Sequence, residues 1–260
     1  MLQLRVGIDL ACLRLPFKKA LLTAAELGAE AVEIDCRNQL PPAELTRTAV
    51  RHLRKMLDDL NLRVCAVQFR TRHGYDVAEN IDRRLEATKR AMQAAFELGA
   101  SVVVNQIGRI PDEPGGAAWD LMLQALSDLG RFSHKAGAML AAETGTEDGA
   151  AMRRLLDALP EGAIGVAFNP GNLLVNGFSP RDAMQQLSGD VTYVHAKDAV
   201  RDLARGRGLE VPLGRGSVDF PELLAMLEEK GYRGYVTIQR EGADDPVFEV
   251  GQAVQYLRSL

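Results

Sequence analysis

Four side chains that could bind a metal ion or move a proton each stand at the end of a short apolar run. They are Glu143 in AMLAAE, Asn169 in AIGVAFN, His195 in VTYVH and Gln239 in YVTIQ. Carboxylate, imidazole and amide oxygen groups all ligate divalent cations, and a carboxylate or imidazole can also act as an acid or base. Any one of them alone is more simply explained as a polar group that ends its strand. Four at matching positions favour a shared site.

These residues can meet only if the apolar runs are neighbouring parallel strands. We predict eight strands, at residues 4–10, 31–36, 63–69, 101–106, 138–143, 164–169, 191–196 and 234–239. Most are continuously apolar, as expected when both faces of a sheet are buried. Amphipathic helical segments separate them, and glycine often ends the helix, as in ELGAEAVEI and ELGASVVV.

Uninterrupted alternation of strand and helix requires a parallel sheet. Eight units in 260 residues favour an α/β fold in which the sheet closes into a (β/α)8 TIM barrel, with residues 1–260 as one domain. The alternative is an open doubly wound sheet, which would place a glycine-rich turn directly after the first strand. The chain has ACLRLP there. In the barrel, the carboxyl ends of all strands share one face, so the four polar side chains would converge.

Composition excludes several classes of protein. Acidic and basic residues are interspersed with a net charge of −4, so no basic block indicates nucleic-acid binding. No apolar run approaches the roughly 18 residues of a membrane span, and the first residues do not resemble a signal peptide. The three cysteines, Cys12, Cys36 and Cys65, are odd in number and form no CxxC pair. We expect reduced thiols and a cytoplasmic protein.

Five segments carry a resemblance to a known family: AAETG, FNPGNL, YVHAKD, PLGRGSVDFPELL and GYRGYVTIQREG, the first at residue 141 and the last ending at residue 242. The chain resembles the xylose-isomerase-like TIM barrels, among them sugar and sugar-phosphate isomerases and epimerases. The resemblance implies a divalent metal held by a glutamate, an aspartate, a histidine and a second glutamate on strands five to eight. It also implies that the two glutamates act as acid and base while the metal stabilises an enediolate.

On this pattern the metal ligands would be Glu143, Asn169, His195 and Gln239, with Glu143 also catalytic. Asn169 stands where the family has aspartate, and Gln239 where it has glutamate, so one negative charge is offered instead of three. Amide oxygens preserve the ligand geometry but lose much of the attraction for a hard cation. Gln239 also cannot exchange a proton near neutral pH. The expected cofactor is therefore a divalent metal (Mn, Mg or Zn) that is weakly bound or absent.

Three interpretations of function stay open. Glu143 could be the single acid–base group of an isomerase, an epimerase-like enzyme or a lyase, because one group can remove and redeliver a proton. Second, the chain could be a carbohydrate-binding relative without turnover. Third, a carboxylate or phosphate of the substrate could complete the coordination shell of the metal. The endonuclease IV-like branch is disfavoured, because its zinc cluster needs several histidines and this chain has only four.

Candidates for binding the substrate lie in the loops after the strands. The resemblance suggests Asn172, three residues after the strand-six ligand, Lys197 of the H-x-K-D motif, and Arg201, six residues after His195. His73 follows strand three in RTRHGYD. The longest irregular stretch, residues 197–218, could bind an anion through the amides of its GRG segment. This stretch contains four arginines, which favour an acidic or phosphorylated sugar or polyol as the substrate. They are Arg201, Arg205, Arg207 and Arg215. A homo-oligomer is compatible with the sequence.

Overall fold

Eight parallel strands form a closed barrel in the computed structural model, which describes residues 4–201 and 207–260. The barrel strands are β1 (Arg5–Asp9), β2 (Ala31–Asp35), β3 (Arg63–Gln68), β4 (Val102–Asn105), β5 (Met139–Glu143), β6 (Gly165–Phe168), β7 (Val191–Ala196) and β10 (Tyr235–Ile238). Around the barrel their order is β1, β10, β7, β6, β5, β4, β3, β2. All eight predicted strands are present, most of them one residue shorter at one or both ends. The (β/α)8 prediction is confirmed, and the open-sheet alternative is wrong.

Helices connect the strands and form the outer layer. They are α1 (Phe17–Glu26), α2 (Arg47–Asp59), α3 (Ile81–Glu97), α4 (Ala117–Ala136), α5 (Gly149–Ala158), α6 (Pro170–Val175), α7 (Pro180–Leu187), α8 (Phe220–Glu229) and α9 (Pro246–Arg258). Side-chain oxygens cap the first turns of several, for example Asp148 on α5 and Asp245 on α9. Proline at the first position of α6, α7 and α9 suits the fixed backbone there.

The inside of the barrel is filled in layers. A small apolar cluster occupies the interior and includes Ala31, Ala141, Ala167 and Tyr193. Side chains two residues apart on a strand point to the same face. The next inward positions toward the carboxyl ends are therefore Glu33, Glu143, Asn169 and His195, the last three at positions that the sequence singled out. The strands thus place a polar layer directly above the apolar one.

The described parts of this stretch, residues 197–201 and 207–218, are more ordered than the prediction of an irregular loop. Strands β8 (Asp198–Val200) and β9 (Leu209–Val211) pair antiparallel outside the barrel. The Asp198 carboxylate accepts hydrogen bonds from the backbone N–H groups of Gly214 (3.0 Å) and Gly216 (2.9 Å). A Cβ on Gly216 would lie 2.0 Å from Asp198 Oδ1, so this position requires glycine. The GRG segment could have offered its amides to an external anion, but its two glycine N–H groups are bound to Asp198 instead.

Two further predictions concern the thiols and membranes. The three cysteines are free and buried, which agrees with the expectation of unpaired thiols. Within residues 4–201 and 207–260, no helix combines the length and the apolar character that crossing a bilayer would need.

Candidate functional site

A ring of buried polar side chains lies at the carboxyl ends of the barrel strands. Each of its members is at most 5% exposed. We call this set the polar ring: Asp9, Glu33, Gln68, Glu143, Asn169, His195 and Gln239. It contains the four residues that the sequence singled out, and the structure brings those four into mutual contact.

The side chain of Asn169 lies at the centre of these contacts. Its Nδ2 is 3.0 Å from Glu143 Oε1, 2.9 Å from Gln239 Oε1 and 3.5 Å from His195 Nδ1. Its Oδ1 accepts from the backbone N–H of Asn172 at 3.0 Å and so caps helix α6. Because a backbone N–H can only donate, this contact fixes which end of the amide is oxygen.

The imidazole of His195 is held between two carboxylates. Its Nε2 lies 2.8 Å from Glu33 Oε2, and its Nδ1 lies 3.2 Å from Glu143 Oε1. Burial alone would lower the pKa of His195, but the charges and hydrogen bonds of Glu33 and Glu143 raise it to about 10. The ring is therefore an imidazolium near neutral pH and donates a hydrogen bond from each nitrogen.

Glu143 is an ionised carboxylate whose two oxygens have different surroundings. Burial alone would raise its pKa, but the hydrogen bond and charge of His195, with Arg70 and Asn169, lower the pKa to about 2. Oε1 accepts from Asn169 and His195. Oε2 accepts from Gln106 Nε2 at 3.2 Å, on the side of an open cavity.

Glu33 connects the polar ring to the layer beneath it. Its Oε2 accepts from the hydroxyl of Tyr193 at 2.7 Å as well as from His195. The same hydroxyl lies 2.7 Å from Thr237 Oγ1. Burial raises the pKa of Tyr193 well above its ordinary value, so the phenol stays protonated and donates. Glu33 thereby fixes the orientation of the imidazole from across the barrel.

Asp9 contributes a carboxylate that ionises near neutral pH. Burial and the nearby charge of Glu33 raise its pKa to about 7, although His195 and hydrogen bonds from Ala11 and Cys12 oppose the shift. Its Oδ1 accepts from the backbone N–H of Ala11 at 3.0 Å. Asp9 is thus the member of the polar ring whose charge changes most readily at physiological pH.

A cavity of about 640 Å³ opens above Glu143. Predicted binding residues His73 and Asn172 line it, together with Gln106 and two further basic side chains, Arg72 and Arg109. The cavity therefore joins the ionised oxygen of Glu143 to a wall rich in hydrogen-bond donors.

The other two predicted binding residues are placed differently. Lys197 Nζ lies 2.6 Å from Glu241 Oε2, and Arg70 Nη1 lies 2.9 Å from Glu241 Oε1. Glu241 thus pairs with two cations, and the ammonium of Lys197 already has an anionic partner. Arg201 is exposed beside the β8–β9 hairpin. The substrate roles of both stay predictions, and Arg205 lies outside the described residues.

Sequence reasoning missed part of the polar ring. Asp9, Glu33 and Gln68 lie inside or at the end of predicted strands, and Gln106 directly follows β4. The available signal was a charged residue within an otherwise apolar run, as in AVEID. Only the strand register shows that Glu33 faces inward and reaches His195 on the opposite side of the barrel.

The side chains as they are placed do not fit a divalent cation. Asn169 turns its N–H groups, not its oxygen, toward the other three predicted ligands. Both nitrogens of His195 are engaged by carboxylates. In the parts of the chain that the structure describes, no group of three or more His, Cys, Asp or Glu residues has the arrangement of a metal site.

Comparison with known proteins agrees with this fold. The family model described as xylose isomerase-like TIM barrel matches residues 21–260. An inosose dehydratase of Clostridium beijerinckii is 23% identical over 74% of this chain and 74% of its own length. A xylose isomerase domain protein from Planctomyces limnophilus superposes with a TM-score of 0.83 at 24% identity, covering 92% of this chain and 91% of that one. A 3-keto-D-glucoside 4-epimerase from E. coli gives a TM-score of 0.75 at 18% identity, covering 99% and 100%. The chain belongs to the xylose isomerase-like TIM barrel family.

Proposed function

We propose that this chain is an enzyme that moves a proton on a small polyol or sugar derivative, with Glu143 as its acid–base group. The observation that carries the proposal is the position of Glu143. One of its oxygens is fixed within the polar ring, while the other faces a cavity of about 640 Å³. A volume of this size is typical of small-molecule sites.

The polar lining supports a hydroxylated substrate. Gln106, Arg72 and Arg109 offer donors to hydroxyl or carbonyl oxygens, and the two guanidinium groups favour a substrate that carries a carboxylate or phosphate. Within the described residues, Gln68 Nε2 and Gln239 Nε2 are buried donors without a partner. Because an unpaired buried donor is unfavourable, a buried water is the natural acceptor for each.

One carboxylate, Glu143, stands among the residues that line the cavity, and this limits the reaction class. Asp9 and Glu33 are not among those lining residues and Gln239 is an amide, so Glu143 must both remove and return the proton. In dehydration, Glu143 takes the proton from the carbon beside a carbonyl, and the C–H electrons move toward the carbonyl oxygen to give an enolate. The enolate then expels a neighbouring hydroxyl, which leaves as water with that proton. Isomerisation uses the same first step; the proton of the neighbouring hydroxyl then moves to the enolate oxygen, and Glu143 returns its proton to the former carbonyl carbon. The inosose dehydratases among the relatives favour dehydration of a cyclic keto-polyol.

One observation favours a second candidate, a carbohydrate-binding protein without turnover. The pKa of Glu143 is lowered to about 2, which makes this carboxylate a weak base. Such a group accepts hydrogen bonds from sugar hydroxyls well but removes a C–H proton slowly. The two candidates therefore differ in whether the bound ligand exchanges a proton with solvent.

The test is proton exchange followed by NMR in heavy water. The panel contains an inosose and ketohexoses with and without a phosphate group. We expect exchange or loss of water with at least one member, reduced about 100-fold or more in Glu143→Gln. Glu229→Gln makes the same chemical change on an exposed helix end at the opposite face of the barrel and should behave as wild type.

Calorimetric titration with the same panel separates the alternatives. Binding without exchange would support the non-catalytic candidate and contradict the enzyme proposal. Exchange that is equally fast in Glu143→Gln would show that another group moves the proton. If no member of the panel binds or reacts, the proposed substrate class is wrong.

A further inference from the structure

We propose that the amide of Asn169 takes the place of a metal ion at the centre of the polar ring, so that this centre folds without metal. The inference concerns what holds the ring together. It goes beyond the proposed function and does not depend on it, because neither turnover nor a substrate enters the argument.

The first step is the convergence of two side-chain oxygens on one nitrogen. Glu143 Oε1 and Gln239 Oε1 lie 3.0 and 2.9 Å from Asn169 Nδ2. The protonated Nδ1 of His195, 3.5 Å from the same nitrogen, donates to Glu143 Oε1 instead. The two oxygens accept its two N–H groups at hydrogen-bond distances, whereas a shared ion would hold oxygen and nitrogen ligands at about 2.0–2.6 Å. The positive end of the amide dipole therefore occupies the point that the surrounding groups face.

The second step is that the amide cannot be reversed. Asn169 Oδ1 accepts from the backbone N–H of Asn172 at 3.0 Å, as the cap of helix α6. A reversed amide would set its NH₂ group against that N–H and its oxygen against the carboxylate of Glu143. The orientation of Asn169 in turn requires Gln239 to present its oxygen, because an NH₂ group on each side would repel.

The third step joins the two amides. Asn169 and Gln239 are the two positions at which the sequence has an amide where a carboxylate was expected, and they are hydrogen-bonded directly to each other. An aspartate at position 169 would keep one oxygen on the Asn172 N–H and place the other about 3 Å from the carboxylate of Glu143 in a dry interior. The His195 imidazolium already serves two carboxylates, Glu33 and Glu143, so a third carboxylate needs a further cation, whereas the amide pair needs none. The two amides thus act as one coupled change.

The experiment compares wild type with Asn169→Asp and with the double variant Asn169→Asp/Gln239→Glu. Each protein is loaded with manganese, desalted, and analysed for bound metal by elemental analysis. Its melting temperature is measured with EDTA and with excess manganese. Asn61→Asp is the matched control, because it makes the same substitution at an exposed position after helix α2, away from the polar ring.

We expect wild type and Asn61→Asp to retain no stoichiometric metal, and each to melt within about 1 °C of the same temperature in the two buffers. The double variant should retain about one manganese ion per chain and melt several degrees higher with metal than with EDTA, because an ion that binds only the folded state stabilises it. Asn169→Asp alone should melt below wild type in EDTA.

Two results would overturn the inference. One is stoichiometric metal in wild type that EDTA removes with a fall in melting temperature. The other is an Asn169→Asp variant as stable in EDTA as wild type, since the argument requires repulsion between the two carboxylates. If the double variant does not fold, the metal content and the two melting temperatures of the wild type still test the inference. None of these readouts uses a substrate, so a failed turnover assay and a failed metal assay are distinguishable.

Discussion

Asp9 should make the stability of the fold depend on pH in a direction opposite to that of an ordinary paired carboxylate. The residue is 2% exposed and faces Glu33, with the His195 imidazolium close enough to oppose part of the effect. Burial and Glu33 raise its pKa from 3.8 to about 7 in the folded protein. Below about pH 4 the carboxyl is protonated in both the folded and the unfolded state, so it contributes no pH dependence there.

Between about pH 4 and 7 only the unfolded chain loses this proton, so the free energy of unfolding falls as the pH rises. Above about pH 7 both states are ionised and the contribution is constant. A shift of about 3 units at about 1.4 kcal/mol per unit gives a penalty of about 4 kcal/mol at pH 8. In the variant Asp9→Asn the side chain stays neutral at every pH, and its amide oxygen can still accept from the N–H of Ala11. Asp9→Asn should therefore be more stable than wild type by up to about 4 kcal/mol at pH 8, and by only about 1 kcal/mol at pH 4.5.

Urea unfolding followed by circular dichroism at pH 4.5, 6 and 8 measures this difference. Asp244→Asn is the control, because it removes a carboxylate from an exposed position. The difference between this control and wild type should be small at each pH. An Asp9→Asn curve parallel to that of wild type from pH 4.5 to 8 would refute the reasoning. It would mean that Asp9 is ionised in the folded protein over the whole range.

Two further predictions concern contacts around the polar ring. Tyr193→Phe removes the buried hydroxyl that donates to Glu33 and should lower the free energy of unfolding by about 1–3 kcal/mol. The control Tyr256→Phe, at a half-buried position, should change the free energy of unfolding by less than about 0.5 kcal/mol in the same urea titration. A double-mutant cycle of Lys197→Met and Glu241→Gln should give a coupling of about 1 kcal/mol, because the ammonium is buried while the carboxylate side chain is 42% exposed and partly screened. A coupling of zero would show that the ion pair does not orient Lys197.

The sequence predicted the barrel because each strand is buried on both faces, which leaves nearly continuous apolar runs. It predicted the meeting of Glu143, Asn169 and His195 because the carboxyl ends of parallel strands share a face. Both inferences need only local pattern and one general rule of topology. The polar residue that ends a strand is visible without coordinates.

The sequence could not predict contacts that depend on register or on which end of an amide is turned inward. Glu33 and His195 are 162 positions apart and meet only because their side chains stand at the same height inside the barrel. The orientation of Asn169 depends on a backbone N–H three residues later, which no residue pattern specifies. Asp198 looked like part of a site motif, but it binds loop amides and organises the β8–β9 hairpin.

The net charge of the polar ring explains how it can fold without a metal ion. A divalent ion together with two carboxylates has no net charge, and neither does a pair of amides. Replacing the ion and the two carboxylates by two amides therefore leaves the net charge of the buried ring unchanged. The difference is in what remains free to bind a ligand. An ion keeps open positions for substrate oxygens, whereas both N–H groups of Asn169 are already donated to Glu143 and Gln239. Substrate oxygens must therefore be held by the cavity wall, so we expect truncation of Gln106 or Arg72 to weaken ligand binding in the calorimetric titration.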